Sequence, residues 1–77
     1  MKKLYEFVGM LVLNGYSLDS GEIGYYGDIR RYKWMKLRKR VWPVDYYCTV
    51  DCEKETYVFS QKNVETGEGK EEEEMRI

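Results

Sequence analysis

Two short runs, VDYYCTVD at 44–51 and ETYVFSQ at 55–61, constrain the fold more than any other part of the chain. Both are rich in β-branched and aromatic residues, which suit a pleated, half-buried surface. The polar CEKE that joins them has the length of a hairpin connection. The chain is therefore committed to an antiparallel sheet. Pro43, just before the first run, marks a strand start or an edge position, because proline has no N–H to donate to a ladder.

The N-terminal segment has a different period. Leu4, Phe7, Val8, Leu11 and Val12 stand at i, i+3, i+4, i+7 and i+8, which makes one apolar stripe on a helix. Asn14-Gly15-Tyr16 supplies the stop, with Gly15 placed to be the left-handed residue after the last turn and Tyr16 to fold back on it. Gly9 and the valines weaken a helix, and Asn-Gly is also a hairpin signal, so residues 4–13 as a strand remain the competing reading. Between residues 17 and 28, glycines at 21, 24 and 27 punctuate a short strand, Glu22 to Tyr26. Their spacing is not that of a phosphate-binding loop.

Residues 30–40, RRYKWMKLRKR, carry seven cations and no acid. Projected on a helix, Ile29, Tyr32, Trp34, Met35, Leu37 and Val41 scatter around the whole circle. A strand fits better if a bulge falls near Met35-Lys36, so that Tyr32 and Trp34 share a face with Leu37 and Val41 while Lys33, Arg38 and Arg40 face the other way. From Val64 the composition shifts to six acids, two bases and few apolar residues, which predicts a flexible acidic tail over 64–77 beyond a single compact domain over 1–63.

These elements add up to an α+β fold: one N-terminal helix on a three- or four-stranded antiparallel sheet, with the tail outside it. The alternative is a small all-β, SH3-like barrel that uses residues 4–13 as a strand. A chain of 77 residues buries only about 60% of its unfolded surface, so its core needs large side chains. Eight tyrosines, two tryptophans and two phenylalanines meet that need.

The inventory for catalysis is thin. There is no histidine, which removes the commonest general base and every His-dependent triad. Cys48 and Cys52 in an extended strand would lie about 13 Å apart, too far for a disulfide. Acids at 51, 53 and 55 would raise their thiol pKa values, and zinc would lack further good ligands. The reading is a non-enzymatic protein with no cofactor and no metal. The start, MKKLYEFVGMLVLNG, is interrupted by Glu6 and is too short to span a bilayer, which takes about 20 residues. A cytoplasmic setting without membrane contact is expected.

Recognition remains, and the charge map points to where. Residues 30–40 hold seven positive charges, residues 64–77 sum to −4, and residues 1–63 sum to +3. The candidate contact residues are Arg30, Arg31, Tyr32, Lys33, Trp34, Lys36, Arg38, Lys39 and Arg40. Arginines and aromatics are typical anchors of protein interfaces. The same alternation of cations and rings would serve phosphates and stacked bases, which makes nucleic acid the alternative partner. A net charge of −1 favours protein. The acidic run Glu71–Glu74 on a flexible tether would screen the basic strand from bulk nucleic acid. A homodimer is a further expectation, since Met10 and Leu13 fall off the main helical stripe.

With its length under eighty residues, its high tyrosine count, RRYKWMKLRKR beside KEEEE and no enzyme motif, the chain resembles the small host-takeover proteins of lytic bacteriophages. That resemblance implies inhibition of a host protein by occupying its surface, and it carries no functional residues over. The acidity here is confined mainly to residues 64–77, which argues against mimicry of DNA by the whole surface.

Overall fold

A computed structural model of the chain describes residues 2–23 and 32–77. One helix, α1 (Lys2–Leu13), precedes six strands: β1 (Ser17–Ile23), β2 (Tyr32–Val41), β3 (Val44–Asp51), β4 (Thr56–Asn63), β5 (Gly69–Glu71) and β6 (Met75–Arg76). The strands form one antiparallel sheet in the order β1-β2-β3-β4-β5, with β6 also on β4. The fold is α+β, and the barrel alternative, which needed a strand over 4–13, is excluded by α1.

The helix follows from its stripe. Leu4, Val8 and Leu11 are buried, and Phe7 packs beside them, whereas Val12 is 55% exposed and leaves the expected stripe. Its end is a Schellman turn: the Tyr16 N–H donates to the Leu11 carbonyl and the Gly15 N–H to the Val12 carbonyl, each at 3.0 Å. Gly15 has φ of +94°, so the left-handed position falls on the residue that can occupy it most cheaply.

Alternation then divides the sheet into two faces. Two rows run across it under the helix, Met35–Val50–Tyr57 and Leu37–Cys48–Phe59. Met35, Leu37, Cys48 and Val50 are at most 2% exposed and form one cluster with Leu4, Val8 and Leu11. Rings close the side of this cluster: Phe7 lies 4.5 Å from Tyr57, and Tyr57 meets Phe59 edge-on at 5.4 Å. With the one helix on this side and every described strand in the sheet, no described element is stacked on the opposite face.

Two expectations need correction. The bulge in β2 is not at Met35-Lys36, because pairing with β3 is unbroken from Trp34↔Asp51 to Val41↔Val44. It falls at Lys33, where the β1 register passes from Glu22↔Trp34 to Ile23↔Tyr32. The extra residue turns Tyr32 toward the core, and its ring reaches the place where Gly21 has no side chain. Trp34 therefore shares a face with Lys36, Arg38 and Arg40, not with Leu37.

The free acidic tail is the second correction, and with it the strand count of three or four. Residues 69–71 and 75–76 pair with β4, and Ile77 packs against the core. Asn63 starts the turn: its Oδ1 accepts the N–H groups of Glu65 and Thr66, and Gly67 at φ +80° completes it. A composition poor in apolar residues does not prevent a strand that borrows an existing edge, since the ladder is made by backbone groups. Arg30, Arg31 and the 24–26 part of the expected Glu22–Tyr26 strand lie outside the described residues, and residues 17–21 are strand as well.

Candidate interaction surface

The open face is built from four strands in register. Its rows are Arg38–Tyr47–Ser60–Glu71 and Arg40–Asp45–Lys62–Gly69, flanked by Lys36–Thr49–Val58 and Trp34–Asp51–Thr56. The basic strand is thus interleaved with acids and hydroxyls that are distant in sequence.

Arg40 and Asp45 face each other beside the tight Trp42–Pro43 turn. Arg40 Nε donates to Asp45 Oδ1 at 2.6 Å and Nη2 donates to Oδ2 at 2.9 Å, a two-pronged pair. Asp45 is only 3% exposed, so this is the best-shielded charge on the face. The hydrogen bond from Arg40 holds the Asp45 carboxyl below the ordinary range, and the same bond raises the guanidinium. The Tyr47 hydroxyl also reaches Asp45, at a long 3.5 Å.

The remaining described cations are engaged in other ways. Arg38 pairs with Asp19 at 3.8 Å, and Lys33 with Glu22 at 3.6 Å, both among well-exposed side chains. Trp34 Nε1 donates to the other Glu22 oxygen at 3.1 Å. Lys36 Nζ stands 4.4 Å from the centre of the Tyr47 ring, close enough for a cation–π contact. Lys39 points to the helix side, 5.5 Å from Tyr16. Burial is the main cause that raises the Tyr16 phenol pKa.

Of the expected contact residues, Trp34, Lys36, Arg38 and Arg40 come together on one face. Tyr32 and Lys39 turn to the helix side, Lys33 sits at the bulge, and Arg30 and Arg31 lie outside the described residues. Asp45, Tyr47, Ser60 and Lys62 join the surface outside the expected set, and Glu71, expected near the basic strand only on a flexible tether, joins it through β5. Their signal was the parity of β3 and β4, which becomes readable only once the register against β2 is known. Trp42, 64% exposed at the turn, is also a prominent ring that the charge pattern did not mark.

A shallow hollow of about 380 Å³ opens on this face between Lys36, Tyr47, Ser60, Lys62 and Glu71, with Lys70 at its rim. Gly69 contributes to it by presenting no side chain. The acidic run does not hang from a tether over the basic strand. Glu71 lies in β5, the Glu72 N–H donates to the Phe59 carbonyl, and Glu71 alone of the run lines the hollow shared with Lys36.

The thiols are remote from this chemistry. Cys48 and Cys52 are free and buried; burial pushes Cys48 up to about 12, and burial with Asp51 and Glu53 pushes Cys52 up to about 11. Among the described residues, no group of three or more His, Cys, Asp or Glu is arranged to hold a metal ion. None of the described helices is long and apolar enough to cross a membrane.

Comparison with known proteins finds no matching family model, no similar curated protein and no similar solved structure.

Proposed function

We propose that this protein is a small non-enzymatic module that binds and modulates a partner protein through the open face of its sheet, with Trp34, Lys36, Arg38 and Arg40 at the centre. One observation carries the choice of protein over nucleic acid. Three of the five described cations of the basic stretch already pair with carboxylates, and the other two lie over rings. A phosphate track needs a line of cations free to release counterions, whereas a protein interface uses mixed charge with aromatic and arginine anchors. The resemblance to host-takeover proteins makes a bacterial host protein the partner to seek. Two free thiols suit a cytoplasmic place of action.

An affinity pull-down from bacterial lysate, run with and without nuclease, tests this reading. A stoichiometric protein should be recovered under both conditions and lost with Trp34→Ala plus Arg38→Ala. Recovery that disappears on nuclease treatment, or that ignores these substitutions, overturns it. The nucleic-acid reading keeps one supporting feature, the placement of Trp34 and Tyr47 among cations on a single face. It requires affinity that falls with salt by roughly 0.7–0.9 in log–log slope for each phosphate contacted.

A further inference from the structure

We infer that the hollow between β2, β3, β4 and β5 is the subsite that receives an acidic side chain from an extended, Glu- or Asp-rich segment of the partner. This inference rests on the reading of the open face as a protein-binding surface and names the chemistry recognised there.

Charge is distributed unevenly on the face. Arg38, Arg40 and Lys33 are satisfied by Asp19, Asp45 and Glu22. Lys36, Lys62 and Lys70 have no carboxylate partner at salt-bridge distance among the described residues, and all three line the hollow. Lys36 and Lys62 of the open face and Lys70 of the edge strand β5 are therefore gathered around one depression, while Arg76, beside Thr56 at the far end of the sheet, lies apart from it. Glu71 is the one acid in its lining, so the local balance is positive.

The depression also supplies a neutral donor and an aromatic support. The Ser60 hydroxyl lies in its lining, as does Tyr47, whose ring holds the Lys36 ammonium at 4.4 Å. Tyr47 is in turn tied through its hydroxyl to Asp45, which Arg40 clamps with two bonds. The Tyr47 ring, held in β3 with its hydroxyl near the clamped Asp45, lies under the Lys36 ammonium beside the hollow. Lysine is otherwise a flexible point charge with several rotatable bonds, so a fixed ring lowers the cost of holding it in place.

Size and surroundings favour a peptide carboxylate over a nucleic-acid strand. A volume of about 380 Å³ takes a side chain and part of its backbone. Phosphates passing across it would meet Asp51 on the row beside Lys36 and Glu71 within the lining, whereas Asp45 is already neutralised by Arg40. An acidic segment with spaced carboxylates can place one anion between the lysines and keep neutral residues over those acids.

The test uses the full chain and a synthetic ten-residue peptide of alternating Glu and Ser, with inorganic phosphate and an oligothymidylate as comparison probes. Amide chemical shifts should move at Lys36, Tyr47, Ser60, Lys62 and Lys70 on peptide addition. Affinity should fall about tenfold in Lys36→Gln plus Lys62→Gln, two charge contacts of ordinary surface strength. Glu71→Gln should tighten the peptide severalfold, a gain that no loss of folding can imitate. Shifts centred elsewhere, indifference to the lysine substitutions, or weaker binding in Glu71→Gln overturn the inference. So does equal affinity for free phosphate, which makes the hollow a small-anion site, or tighter binding of the oligothymidylate. If a lysate partner depends on Trp34 and Arg38 while the peptide leaves the hollow untouched, the subsite fails and the binding module stands. If the peptide binds as described while no lysate protein is retained, the subsite stands and the modulatory function fails.

Discussion

The ionisation of Asp45 is coupled to folding through its pair with Arg40. Its folded-state pKa lies below the ordinary value of about 3.9, chiefly through the hydrogen bond from Arg40. A depressed carboxyl stabilises the fold fully above its unfolded value, and that contribution disappears as pH falls through the lower folded value. Asp45→Asn should therefore melt below the wild type near neutral pH, with the gap closing as pH drops below about 4. Thermal melts of both proteins across that range check this; a gap independent of pH would assign the loss to packing instead. The thiols give a second residue-scale prediction. Cys48 and Cys52 are buried and shifted to about 12 and about 11, so little thiolate exists at pH 8 and little solvent reaches it. Ellman's reagent should react with neither in the folded protein and with both in denaturant. Fast reaction of either in native buffer would show that the core opens there.

At the scale of elements, the junction of α1 and β1 depends on Gly15. Alanine there must hold a positive φ that L-residues avoid, and its Cβ would come within 3.2 Å of the Lys39 side chain. Gly15→Ala should cost about 1–2 kcal/mol in urea unfolding. No loss would mean that the turn has rearranged without the left-handed residue. The same element shows why sequence reasoning succeeds locally. The helix stripe and its stop are contained within residues 4–16, and each signal concerns neighbours one turn apart. The β2 bulge is not legible in this way. Its position is set by the register of β1 against Trp34 and Tyr32, and by the space that Gly21 leaves for the Tyr32 ring.

Across the whole molecule, the segment after residue 63 changes from a tail into part of the architecture. β5 and β6 occupy the outer edge of β4, and Ile77 packs against the core while its N–H donates to the Glu55 carbonyl at 2.9 Å. Deleting residues 64–77 should expose that edge and loosen the Tyr57 and Phe59 rings beside it. We expect a loss on the order of 2 kcal/mol, roughly 10 °C in melting temperature for a domain this small. Sedimentation should also show self-association, since an uncovered strand edge is a template for pairing. A truncated chain that melts like the full one and associates no more than it does would show that the C-terminal strands add nothing to the fold.

The helix, its stop at Gly15, the β3–β4 hairpin and the strand character of 32–41 are legible along the chain. Each depends on side-chain period or turn chemistry within a few contiguous residues. Three other features arise only when the strands assemble into the sheet. The assembled fold acts through register and edges. It sent Tyr32 inward through a bulge, and it recruited an acid-rich segment by offering it the edge of β4. It also chose which cations remain uncommitted. That choice follows from register, because Asp19, Glu22 and Asp45 reach Arg38, Lys33 and Arg40 only when three strands are aligned. A charge count along the chain measures how many cations there are, but their partners are set by distances across the sheet.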